Sequence, residues 1–101
     1  MPATPDYEEA LGMLKINKDL GWALENELRE KCRLLVESPA KDLTIDLSVA
    51  THICSANLVV LAYAGALAAK HSKALKLMVT SQAARSFRAA GLDEVLDLKV
   101  I

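Results

Sequence analysis

Leu43-Thr44-Ile45-Asp46-Leu47, then Ile53-Cys54-Ser55-Ala56-Asn57, then the uncharged run from Leu58 to Ala69 decide how the chain is read. The first segment reads as a buried strand and the second as a sharp turn. The run is shorter than the roughly 20 apolar residues needed to span a bilayer. It is therefore a helix buried over most of its surface, or one whose exposed part is meant for a partner. It is expected to begin at Cys54 or Ser55 and to end near Lys70-His71, where positive side chains suit a helix C-terminus. Ala62, Gly65, Ala66 and Ala69 form a small-residue face that permits close approach. Gly65 costs about 1 kcal/mol relative to Ala in a helix interior, a loss that packing must offset.

Downstream, Leu75, Leu77 and Val79 alternate with Lys76 and Met78, which predicts a strand over 74–79. Thr80 or Ser81 is the expected cap of a helix over 82–90, with Ala83, Phe87 and Ala90 inward and Arg85 and Arg88 outward. Gly91 stands where a helix end needs a left-handed residue. A last strand is expected over 94–98. Strand, helix, strand, helix, strand implies parallel pairing through right-handed crossovers.

Upstream, Leu20, Leu24, Leu28, Cys32, Leu35 and Val36 follow steps of three and four, which predicts a helix over 20–37. Glu25–Arg29 and Glu30–Arg33 are spaced for ion pairs on its solvated side. Asn17-Lys18-Asp19 is a turn with Asp19 as the N-cap. Ser38-Pro39 ends the helix, because a residue before proline resists the helical conformation. Trp22 lies off the apolar stripe: its simpler reading is cover for the preceding turn or sheet edge, its functional one an exposed anchor for a partner. Residues 7–16 suggest one or two short strands hinging at Gly12, and residues 1–6 a frayed lead.

At 101 residues the chain is expected to be a single domain spanning 1–101. A net charge of −1 argues against a nucleic-acid binder, which would normally carry a basic face. The N-terminal stretch lacks the basic start and apolar middle of a signal peptide, so a cytoplasmic location and no direct membrane insertion are expected. Cys32 and Cys54 read as reduced thiols. His52 and His71 stand apart from them, so no metal site is expected. The four glycines are scattered, so there is no phosphate loop and no cofactor is expected. No paired carboxylates or triad spacing point to an enzyme.

The order of elements, together with Asp46-Leu47-Ser48 at the strand end, the turn at Ile53–Leu58 and the closing Ala89-Ala90-Gly91-Leu92-Asp93-Glu94-Val95, resembles the STAS domain (sulfate transporter and anti-sigma-factor antagonist) over roughly residues 11–98. The resemblance implies an α/β STAS fold: a mixed central sheet, its C-terminal strands parallel, with helices packed mainly on one face. In the antagonist branch, the serine of a D-S-[ST]-G turn is phosphorylated by a partner kinase that is itself the anti-sigma factor. Ser55 matches that phosphoacceptor and Leu58 is kept. Cys54 stands for the Asp, Ala56 for the second hydroxyl residue and Asn57 for the Gly, which Asn can replace because it tolerates left-handed conformations.

The resemblance therefore implies a bacterial regulatory binding protein in transcription signalling. It would dock an anti-sigma factor or related serine kinase through Cys54, Ser55, Ala56, Asn57, Leu58, Val59 and Ala62, and be switched by phosphate on Ser55. The plain reading of Ser55 is an N-cap. Ser48, Thr51 and Ser81 are poorer acceptors. Cys54 at a helix start is either a small apolar stand-in for Asp or a reactive thiol. The alternative function is a non-phosphorylated STAS subunit of a transporter or larger signalling assembly. A homo-oligomer is compatible with either.

Overall fold

The computed structural model describes residues 4–22 and 24–101. Five strands, β1 (Tyr7–Ala10), β2 (Met13–Ile16), β3 (Asp42–Leu47), β4 (Ala74–Val79) and β5 (Asp97–Val100), form one sheet in sequence order. β1 and β2 are antiparallel; every later pair is parallel. Three helices join the parallel strands: α1 (Glu25–Glu37), α2 (Ser55–Lys70) and α3 (Ser81–Ala89). Among the described residues, no helix is long and apolar enough to cross a membrane.

The sheet advances one strand at a time in a single direction, so successive right-handed crossovers put all three helices on the same side. The register agrees. Leu14, Ile45, Leu77 and Leu98 form one cross-strand row, and the first three are buried. Rows of opposite phase, Met13-Thr44-Lys76-Asp97 and Lys15-Asp46-Met78-Lys99, line the other face and keep contact with solvent. Each fully buried Leu or Ile in the covered rows contributes about 1.5–3 kcal/mol.

The β1–β2 hairpin turns at Gly12, whose φ of +75° is left-handed. A Cβ there would also lie 2.8 Å from the Asp42 carbonyl oxygen. Met1–Ala3 of the expected lead lie outside the described residues. Pro5 and Asp6 are tied down rather than frayed: Asn17 donates its side-chain amide to Pro5 O at 3.1 Å and its N–H to Asp6 O at 2.8 Å.

α1 begins at Glu25, five residues later than the apolar spacing predicts, since Leu20 is spent elsewhere. Leu20 bridges Ile53 in parallel, donating its N–H to His52 O at 3.0 Å and accepting from Cys54 N–H at 2.8 Å. Its side chain is buried all the same. Asp19 caps no helix; its Oδ1 accepts from His52 N–H at 2.7 Å and ties two loops. Of the expected ion pairs, Glu30–Arg33 forms, Arg33 adds Glu37, and Glu25–Arg29 does not form among the described residues. α1 stops before Pro39 as expected, with Ser38 extended at ψ 162°. Its last turn lacks a basic residue, and Lys73 supplies one from outside, donating to Val36 O at 2.6 Å and to Ser38 O.

Thr80 caps α3, its hydroxyl accepting from Ala83 N–H at 3.0 Å. Ala84 rather than Ala90 completes the inward set, because the helix ends at Ala89 and Ala90 is exposed. Gly91 has the left-handed φ of +74° that was expected. A 3₁₀ turn over Leu92–Glu94 takes Glu94, the first residue of the expected last strand, and Val95 and Leu96 complete the turn, so β5 starts at Asp97. The gap that Gly65 leaves in α2 is filled by Leu96, whose Cδ2 occupies the place of a Cβ.

Candidate functional site

The site forms where the loop after β3 enters α2. Asp46 begins it: its Oδ1 accepts from Ser48 N–H at 2.9 Å, turning the chain at the strand end. Ala50 N–H then donates to Leu47 O at 3.1 Å, and Thr80 Oγ1 reaches Ala50 O from the next strand. Ile53 then forms an isolated parallel bridge with Leu20, outside the five-stranded sheet. The chain therefore arrives at Cys54 held on both sides.

Cys54 is the N-cap of α2, extended at ψ 160°, and its carbonyl accepts from Leu58 N–H at 3.0 Å. Its thiol makes no capping bond, in contrast to Thr80 on α3. Ser55 is the first helical residue and is exposed, so the reading of Ser55 as the N-cap is replaced: the cap position belongs to Cys54.

The expected contact residues separate into two sets. Ser55 and Val59 are exposed, Val59 at 64 %, and Cys54, Ala56 and Ala62 are half-buried. Asn57 and Leu58 are buried and belong to the interior, not to the surface. Asn57 also corrects the idea of a left-handed stand-in for Gly, since Ser72 is the one non-glycine with positive φ among the described residues. Asn57 instead points inward from the helix. Its Nδ2 donates to Leu20 O at 3.0 Å and to Trp22 O at 2.7 Å, while its Oδ1 is buried without a partner. The signal for this lay in the sequence: Asn57, Leu61, Ala64 and Ala68 share the buried face of α2, and a polar group there must find partners.

That clamp places Trp22 beside the foot of α2. Trp22 is 69 % exposed and stands beside Lys18 and Asp19 of the preceding turn. Two open depressions meet here: Lys18, Asp19, Gly21, Trp22 and His52 line one, and Gly21, Thr51, His52, Cys54 and Gln82 contribute to the other. Along α2 the outward positions are Ser55, Val59, Tyr63, Ala66 and Lys70, with no charge before the last. Tyr63, 51 % exposed, is a surface residue that the sequence reading did not single out, although steps of four from Ser55 lead to it. Among the described residues no group of His, Cys, Asp and Glu is placed to hold a metal ion.

No family model and no curated protein matches the chain.

Proposed function

We propose that the chain is a STAS-type regulatory binding module, non-enzymatic, that docks an anti-sigma factor or related serine kinase on the outward face of α2 and is switched by phosphorylation of Ser55. One observation carries this reading: an exposed serine begins a helix whose outward positions Val59, Tyr63 and Ala66 are exposed and uncharged. A phosphate there sits at the positive end of the helix dipole, so the folded chain tolerates it. Its added charge of roughly −1.5 to −2 opposes an apolar partner by desolvation and repulsion. The switch then needs no large conformational change. The one-way strand order also favours a surface over a crevice, because a sheet without a reversal has no switch point for a small ligand.

The second reading, a non-phosphorylated subunit of a transporter or larger signalling assembly, is favoured by the turn itself. Cys54, Ala56 and Asn57 depart from the D-S-[ST]-G pattern, and Asn57 is committed to an internal clamp. The same face of α2 would then be covered permanently. Phosphosite mapping on protein purified from its native cell under several growth conditions separates the two. Phosphate on Ser55 at varying stoichiometry, with Ser55→Asp weakening the co-purifying kinase and Ser55→Ala binding as before, supports the switch. Absence of phosphate with a transport ATPase co-purifying stably supports the subunit, and equal affinity of the two variants sinks the switch.

A further inference from the structure

The sheet has two open edges, and they differ in what a second copy would meet. On β1, Glu8 and Glu9 are adjacent and exposed. An antiparallel pairing centred on that strand sets these carboxylates against their own copies, which is unfavourable. β5 and its flanks read Val95-Leu96-Asp97-Leu98-Lys99-Val100-Ile101, which is complementary to itself when reversed about Leu98.

We infer that two copies of the chain pair edge to edge through β5, antiparallel and centred on Leu98, with Asp97 of each copy opposite Lys99 of the other. Hydrogen bonding and charge together select this register. Ile101 N–H donates to Val79 O at 2.9 Å, so alternate residues 97, 99 and 101 turn their backbone groups toward β4. Leu98 and Val100 therefore present theirs to the open edge. An antiparallel two-fold can sit at an outward-turned or an inward-turned residue, but centring it on Asp97 or Lys99 sets like charges against each other, which leaves Leu98 as the mid-strand centre. Shifting the register by one would face inward groups against outward ones and set Asp97 and Lys99 opposite apolar residues.

Side chains agree with the backbone. In the single copy Lys99 Nζ lies 3.8 Å from its own Asp97 Oδ1, both side chains 59 % exposed; the Leu98-centred register exchanges this loose contact for two cross-strand ion pairs on the open face of the sheet. Leu98 meets Leu98, and Val100, 47 % exposed, lies past the start of the other copy's strand. Val95 and Leu96 lie in the turn before β5, Val95 with helical backbone and both N–H groups on Leu92 O, so the ladder ends at Asp97. Each of the paired positions 97, 98 and 99 thus faces a residue of matching character. Four residues of strand make a small contact, so the dimer is weak, with a Kd on the order of 10⁻⁴ M. This inference is independent of the role proposed for Ser55, which lies on a helix covering the other face.

The test is sedimentation equilibrium of the full chain from about 10 μM to about 1 mM. Wild type should show concentration-dependent dimer. Asp97→Lys and Lys99→Asp should each weaken it about tenfold, since each sets like charges opposite one another twice. The double variant should return to within about threefold of wild type, and an equimolar mixture of the two single variants should form mixed dimers more tightly than either forms its own. Circular dichroism checks that the variants fold. A monomer throughout the range overturns the inference and makes these charges a guard against pairing. A dimer indifferent to both single reversals overturns it too, by placing the contact elsewhere.

Discussion

α1 and α2 pack against each other above one sheet face, and their inner sides are alike. Leu28, Cys32, Leu35 and Val36 are buried from α1; Leu58, Val60, Leu61, Ala64 and Ala68 from α2. Their outer sides are not alike. α1 shows Arg33 forked between Glu30 and Glu37, and that hydrogen bond holds the Glu30 carboxyl below its ordinary range. α2 shows Val59, Tyr63 and Ala66. Folding asks only that the inner side be apolar, so the outer side is free to record what else the helix meets. α1 is finished by water, whereas α2 keeps a surface that water serves poorly.

The contrast is broken most severely at the foot of α2. Asn57→Asp would face a carboxylate with the Leu20 and Trp22 carbonyls inside the protein, and unfolding free energy should fall by about 4 kcal/mol. Asn57→Ala should cost about 2 kcal/mol, since the Trp22 carbonyl loses its partner. Urea titration measures both. If Asn57→Asp unfolds at the wild-type midpoint, Asn57 does not clamp the site.

α1 carries one cysteine within it and α2 has one as its N-cap, which sharpens the comparison. Burial pushes the Cys32 thiol of α1 up to about 12 from an ordinary 9.0. Below pH 9 both folded and unfolded chains keep that proton and stability is indifferent to it. Between pH 9 and 12 the unfolded chain loses the proton while the folded chain retains it, so this thiol lowers stability as pH rises, by at most about 4 kcal/mol. Cys32→Ala should flatten that part of the stability–pH curve, and equal slopes for variant and wild type would refute it. At pH 8, iodoacetamide should label half-buried Cys54 before Cys32, which should react only on unfolding.

Smaller effects follow at the helix ends and outer faces. Lys73→Met removes the donor that closes the last turn of α1 and should cost about 2 kcal/mol, read as a lower thermal midpoint. Arg33→Ala breaks two exposed ion pairs and should leave the thermal midpoint nearly unchanged. A larger loss would mean that the outer face of α1 is not merely solvated.

Most of the fold was legible because its elements are set by short-range rules. β3, α2, β4 and α3 fall within a residue or so of the segments read from alternation, apolar run and caps, and Gly12 and Gly91 take the left-handed backbone their positions require. The site was half legible. Ser55 and Val59 follow from helix phase, and Asn57 could have been recognised as a polar group on a buried face. Its partners could not, because Leu20 and Trp22 lie 37 and 35 residues away along the chain.

The sequence by itself determined which segments are strands and which are helices and, for α1, β4 and α3, which side is apolar; α2, uncharged on every side before Lys70, did not declare its buried face. These depend on side-chain periodicity and on backbone preferences at Gly, Pro and capping residues. Tertiary structure alone decided where α1 starts, where β5 starts and what Asp19, Asn57 and Lys73 do. A backbone carbonyl such as Leu20 O can be claimed by its own helix or by a distant loop, and only the assembled sheet brings that second claimant within hydrogen-bonding distance.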